Sequence, residues 1–160
     1  MKILFSVACV MAMAACGESE DPSEAFIGTW TYNAGSTTNT DCPDNQFDSV
    51  DPETGSFQIT EGTASDLIVV PQAGDKCPAI RYDVNGNAAT IQPSQTCMYT
   101  ENTTGGAVMV SGAYTTGTYT LAADKKSATG TGTGSVTLTG AGGTITCSVT
   151  ITVAATKAGN

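Results

Sequence analysis

Histidine is absent from this 160-residue sequence, charged residues make up only 13% of it, and aromatic residues only 6%. The absence of histidine excludes Ser-His-Asp and Cys-His catalysis, histidine-ligated zinc and histidine-based pH switching. No segment beyond the N-terminal region has a sustained helical period. We therefore predict a protein that is not an enzyme, with no catalytic residues, no cofactor and no bound metal.

Basic residues are also scarce: six lysines and arginines stand against fifteen aspartates and glutamates, which gives a net charge of −9. A surface of this sign repels phosphate backbones, so we predict no nucleic-acid partner. One short segment holds five of the acidic residues, namely Asp41, Asp44, Asp48, Asp51 and Glu53. Their spacing differs from that of an EF-hand loop, and the central glycine is missing. We interpret the segment as a solvated acidic loop.

Glycine and threonine are abundant, with 18 and 27 residues respectively. Threonine is β-branched and glycine disfavours helices, so this composition favours strands and turns. Apolar and polar residues alternate in about eight to ten short segments that are separated by turn sequences. The sequence therefore predicts an all-β domain over residues 26–156. We expect a single antiparallel β-meander that closes into a small barrel of about eight strands, or forms a sandwich.

The predicted meander begins with a strand at residues 26–32, and two polar segments, 33–55 and 95–106, are predicted to be long loops. Two C-terminal hairpins have a predictable register. The expected cross-strand pairs are Leu121 with Ala128, Tyr119 with Gly130, Gly117 with Gly132, Leu138 with Ile145, and Val136 with Cys147. The glycines of this region then lie on the inward face. They leave space that Tyr119 and Trp30 fill or, in the alternative interpretation, space for a ligand.

The N-terminal region has a basic start, an apolar run over residues 3–13, and then the sequence Ala14-Ala15-Cys16. This pattern resembles the lipobox of bacterial lipoproteins. The resemblance implies a signal peptide at residues 1–15 and acylation of Cys16, with membrane lipid as a partner. Gly17 implies, by the same resemblance, anchoring in the outer membrane. An ordinary signal peptide is the alternative.

The segments that flank the predicted domain are short and polar. Residues 16–25 are predicted to form an acidic flexible tether, and residues 157–160 a C-terminal tail. The expected organisation is thus a signal peptide, a tether, one β domain and a tail.

Four cysteines lie in the predicted domain, Cys42, Cys77, Cys97 and Cys147, and an even number in an exported chain predicts two disulfides. Their spacing does not match paired metal ligands. The Asn-Gly-Asn sequence at residues 85–87 predicts a hairpin, and a turn centred near its last residue places Cys77 and Cys97 equally far from the tip. We favour Cys77–Cys97 with Cys42–Cys147. The alternative pairs Cys42 with Cys77 and Cys97 with Cys147.

Residues 26–30 contain a Gly-x-Trp sequence that resembles the opening strand of lipocalins and related calycins. The resemblance implies a β-barrel whose floor is closed by Trp30 and which carries a small apolar ligand. Lipocalins also have a late arginine that packs on the tryptophan. The only arginine of this chain, Arg81, lies in mid-chain.

The sequence Ser-Gly-Ala-Tyr at residues 111–114 resembles a loop of bacterial lipoprotein inhibitors of c-type lysozyme, which are small disulfide-bonded barrels. The resemblance implies a rigid loop at residues 111–116 in which Tyr114 enters the active site of the target. The basic residue that precedes the tyrosine in that family is missing. The whole-chain pattern resembles predicted lipoproteins of unassigned activity that are common in myxobacteria.

The leading functional prediction is a lipid-anchored, non-enzymatic binding or structural module of the bacterial envelope. One alternative is an inhibitor of a lysozyme or another hydrolase, and another is a calycin-like carrier of a small apolar ligand. The candidate binding residues are Trp30, Tyr114 and Tyr119. An envelope protein or a small apolar ligand is the expected partner besides membrane lipid.

Overall fold

The computed structural model describes residues 21–43, 45, 47–72 and 74–159. The expected signal peptide, the acylation site Cys16 and the first half of the expected tether lie outside these residues, as does Asp44. The described chain forms one short 3₁₀ helix, Pro22–Ala25, and eleven strands. The strands are β1 (Gly28–Tyr32), β2 (Thr37–Asp41), β3 (Ser49–Pro52), β4 (Ser56–Glu61), β5 (Leu67–Val70), β6 (Ile80–Asn85), β7 (Ala88–Ile91), β8 (Thr96–Thr103), β9 (Gly106–Leu121), β10 (Ser127–Gly140) and β11 (Gly143–Lys157).

Eight of these strands form a closed antiparallel barrel in the order β1-β4-β5-β6-β7-β9-β10-β11, with β11 paired back to β1. The predicted all-β barrel of about eight strands is therefore confirmed, and the sandwich is excluded. Closure removes the free strand edges that an open sheet would present. In the described part of the chain, no helix has the length and apolar character needed to cross a bilayer.

Strands β9, β10 and β11 have 16, 14 and 15 residues and are longer than the barrel requires. Beyond the barrel, β9 pairs with β8, and β11 pairs with β2, which in turn pairs with β3. The strands β8-β9-β10-β11-β2-β3 thus form an open sheet that continues one side of the barrel. We call this region the sheet extension.

The two polar segments that were expected to be loops contain strands, so that prediction was wrong. Residues 33–55 include the hairpin β2–β3, and residues 95–106 include β8. These strands are rich in Thr, Asn and Asp and have no apolar alternation, so they carry no sequence signal of a half-buried strand. Strands β8 and β2 form because the long strands β9 and β11 offer unpaired backbone groups beside them, and β3 then pairs with β2.

The predicted registers of the C-terminal hairpins are confirmed at every pair. Leu121 faces Ala128, Tyr119 faces Gly130, Gly117 faces Gly132, Leu138 faces Ile145, and Val136 faces Cys147. The residue period of two then fixes which side chains point into the barrel.

Both favoured disulfides, Cys42–Cys147 and Cys77–Cys97, are present. The 85–87 hairpin turns at Gly86–Asn87, and its ladder ends where Tyr82 faces Ile91. The bond Cys77–Cys97 therefore does not cross that ladder. It ties the segment before β6 to β8.

One end of the barrel is closed around Trp30, whose side chain is 1% exposed. The indole Nε1 donates a hydrogen bond to the Phe26 carbonyl oxygen at 2.7 Å. From the last strand, the Lys157 ammonium lies 5.8 Å from the Trp30 ring centroid and donates to the Ala25 carbonyl oxygen at 3.0 Å. The 3₁₀ helix, which the sequence placed in the tether, is therefore part of this closed end.

Candidate functional site

The other end of the barrel holds a cavity of about 800 Å³ that opens toward the sheet extension. Its walls are inward residues of the barrel strands and of the adjoining sheet extension, and Gln72 and residues 74–77 lie at its mouth. A cavity of this volume suits a small organic ligand, because most such sites measure about 300–1,000 Å³. The cavity is therefore the candidate functional site.

Glycines on β10 create part of this space. A Cβ atom on Gly130 would lie 2.9 Å from a ring carbon of Tyr119 and 2.9 Å from the Thr118 carbonyl oxygen. A Cβ atom on Gly132 would meet nothing closer than 3.4 Å. Gly130 thus makes room for the Tyr119 ring, as one interpretation of the sequence predicted, while Gly132 borders the cavity. Trp30 fills none of this space, because it lies at the closed end.

Aromatic rings form a connected series along the cavity. The Tyr32 and Phe57 ring centroids are 4.7 Å apart, those of Phe57 and Tyr119 are 6.3 Å apart, and those of Tyr119 and Tyr82 are 5.4 Å apart. These separations lie in the range of favourable aromatic pairs. The series gives the wall an apolar character with phenolic hydroxyls placed along it.

Burial raises the pKa of four tyrosines in the cavity wall, because the charged phenolate is poorly solvated there. The pKa of Tyr32 is raised to about 12, first by burial and then by the charges of Glu53 and Asp75. Burial also raises the pKa of Tyr82, Tyr114 and Tyr119. At neutral pH these hydroxyls are therefore protonated and can both donate and accept hydrogen bonds.

Tyr114 faces the cavity because β9 contains a bulge. Thr116 pairs with Thr133, but the next residue of β10, Gly134, pairs with Tyr114. The extra residue, Thr115, shifts the alternation by one position, so Tyr114 joins Tyr119 on the inward face.

Two carboxylates lie at the mouth of the cavity. Glu53 accepts a hydrogen bond from Thr38 Oγ1 at 2.6 Å, and Asp75 accepts one from the Gln72 backbone N–H at 2.7 Å. Both residues line the cavity. Nearby, Lys76 forms an ion pair with Glu101.

Of the sequence-predicted binding residues, the structure brings Tyr114 and Tyr119 together in the cavity wall and places Trp30 at the opposite end. Tyr32 and Tyr82 were not predicted as binding residues. Tyr32 follows Trp30 by two residues on one strand, which is a signal that it shares the inward face.

The segment 111–116, expected to be a rigid inhibitory loop, lies inside β9. It pairs with β10 and, up to residue 113, with β8, so it cannot project into the cleft of a target enzyme. The acidic residues expected in one loop are divided: Asp41 and Asp51 lie in β2 and β3, Asp48 lies just before β3, and Glu53 just after it. Among the described residues, no group of three or more potential ligand residues is placed to hold a metal ion.

Comparison of the chain with protein-family models, with curated proteins and with solved structures found no match.

Proposed function

We propose that the protein is a non-enzymatic binding module whose barrel holds a small, partly apolar ligand. The observation that carries this proposal is the cavity of about 800 Å³, closed at the Trp30 end and open toward the sheet extension. Its wall combines an aromatic series with protonated hydroxyls. Ligand sites of this kind are typically apolar with a few placed polar groups.

The closed end favours the calycin-like carrier over a purely structural module. Lipocalins pack a late arginine on the tryptophan, which this chain lacks, but the ammonium of Lys157 in the last strand lies 5.8 Å from the Trp30 ring centroid. Lysine replaces the arginine found in lipocalins. The carbonyl oxygens of the 3₁₀ helix region complete the arrangement, since Phe26 and Ala25 accept hydrogen bonds from Trp30 and Lys157.

We further propose that the module is held at the outer membrane through acylated Cys16. The support is the lipobox-like sequence at residues 14–16, which follows a short apolar run. Mass spectrometry of the protein extracted from membranes tests this proposal. We expect a mass that corresponds to an acylated chain starting at Cys16. An unmodified N terminus would overturn the proposal.

Binding of the neutral dye Nile red to the full-length protein tests the cavity proposal. We expect saturable fluorescence enhancement by wild type and its loss in Gly132→Leu, because the new side chain occupies the cavity. Thr129→Leu is the matched control, since Thr129 is on the same strand but exposed on the outer face. Far-UV circular dichroism checks that both variants fold. Equal binding by the two variants would contradict the proposal.

A further inference from the structure

We propose that the cavity selects ligands that carry a positive charge, such as a protonated amine or a quaternary ammonium group. This inference rests on the proposed binding function and adds the chemical class of the ligand. It follows from the carboxylates and the tyrosine rings that line the cavity.

The charge at the mouth is negative and not neutralised by the protein. Glu53 and Asp75 line the cavity and accept hydrogen bonds only from the uncharged groups of Thr38 and Gln72 in the described structure. An ion pair with either carboxylate is not found among the described residues. A ligand cation placed between them would therefore gain electrostatic energy without displacing a protein cation.

The one basic residue among the described cavity-lining residues is already engaged. Lys76 forms the ion pair with Glu101, and its ammonium lies 5.1 Å from the Tyr99 ring centroid. This contact keeps the charge of Lys76 beside β8. An anionic ligand would thus meet the carboxylates of Glu53 and Asp75 at the mouth, while the ammonium of Lys76 is paired with Glu101.

Two tyrosine rings in the same cavity wall add a second attraction for cations. Tyr32 and Tyr114 are half-buried in the cavity wall, and both sense the charges of Glu53 and Asp75. Cations bind favourably over tyrosine faces, and more so where water is partly excluded. The deeper wall, with Ile91 and Val153, is left for the apolar body of the ligand.

Three compounds with one phenylbutyl body test the preference: 4-phenylbutylammonium, 4-phenylbutanol and 4-phenylbutyrate. We expect the ammonium to displace Nile red from the full-length protein with a Kd at least about tenfold below that of the carboxylate, with the alcohol between them. Equal Kd values, or tightest binding of the carboxylate, would overturn the inference. Calorimetric titration of the three compounds keeps the test independent of the dye.

The outcomes also separate the two proposals. If neither Nile red nor any of the three compounds binds, the proposed binding function fails. If they bind without regard to charge, the binding function stands and only the cation preference is wrong.

Charge-neutral variants locate the source of the preference. Glu53→Gln and Asp75→Asn keep an oxygen that can accept the hydrogen bond from Thr38 or Gln72, so the mouth retains its shape. We expect each to reduce the ammonium-over-carboxylate ratio by about threefold. The preference should also weaken at high salt.

Glu61→Gln is the matched control, because Glu61 is exposed and does not line the cavity, yet the substitution changes the net charge equally. An equal loss of preference in this control would show that net charge alone is responsible. That result would contradict selection at the mouth.

Discussion

The closed barrel and the sheet extension share the strands β9, β10 and β11, but they bury the inward side chains of those strands to different extents. Within the barrel, Leu121, Ala128 and Val153 are buried. On the same face of the same strands, Leu138 and Ile145 of the extension are only half-buried. Closure of the sheet, rather than the composition of each strand, therefore decides where the core lies.

The outer face shows no such difference. Threonine pairs hydrogen-bond across the strands both at the barrel rim, where Thr116 and Thr133 hydroxyls are 2.8 Å apart, and in the extension, where those of Thr137 and Thr146 are 2.9 Å apart. Cross-strand pairs of this kind stabilise a sheet wherever it faces water. The two regions thus differ inside and resemble each other outside.

The largest effect is expected from truncation at the closed end of the barrel. Trp30→Ala should lower the free energy of unfolding by about 3–5 kcal/mol, since it leaves a cavity in the core. Val50→Ala, on edge strand β3 of the extension, should change it by less than about 0.5 kcal/mol because Val50 is 68% exposed. Urea denaturation followed by far-UV circular dichroism measures both. Similar losses would remove the distinction between the regions.

Removal of the disulfides should have an effect of similar size. The bond Cys42–Cys147 closes a longer stretch of chain than Cys77–Cys97, with sequence separations of 105 and 20. The chain-entropy model predicts losses of about 5 and about 3 kcal/mol for the paired alanine variants.

Hydrogen exchange shows which region depends on the longer bond. In the double variant Cys42→Ala/Cys147→Ala, we expect the amides of β2 to lose protection before those of β1. The reason is that β2 belongs to the sheet extension, whereas β1 belongs to the closed barrel. Simultaneous loss in both strands would mean that the extension and the barrel unfold as one unit.

The smallest effect is expected from two glycines of β10. Gly130→Ala should cost about 1–3 kcal/mol, because its Cβ would lie 2.9 Å from the Thr118 carbonyl oxygen in the barrel wall. Gly140→Ala, in the extension, should be close to neutral, since its nearest contact is a Val108 methyl group at 3.4 Å. Thermal denaturation compares the two. A larger loss for Gly140→Ala would show that close strand approach is not confined to the barrel.

The sequence predicts the barrel better than the extension for a physical reason. Strands such as β4, where Phe57 and Ile59 are buried and alternate with exposed residues, carry the period-two pattern that a core imposes. Strands β2 and β3 lie against a surface that is only partly buried, so selection for alternation is weak there. Their position follows from the length of β11, which no local pattern in residues 37–52 reveals.

The candidate site was predicted only in part. Tyr119 is identifiable because the hairpin register places it opposite Gly130. Tyr114 was singled out through a resemblance to an inhibitory loop, yet it reaches the cavity through a bulge that the sequence does not mark. Glu53 and Asp75 both line the cavity although 22 positions separate them in the sequence, and no local pattern reveals that they share it.

The end of the barrel closed by Trp30 also holds both ends of the described chain, since the Ala158 backbone N–H donates to the Thr29 carbonyl oxygen at 2.8 Å. The N-terminal end of β1 and the cavity mouth therefore lie at opposite ends of the barrel. Tension applied at that N-terminal end enters β1, which is hydrogen-bonded to β4 on one side and β11 on the other. Two ladders share that load, and the cavity opens at the end of the barrel that bears no force.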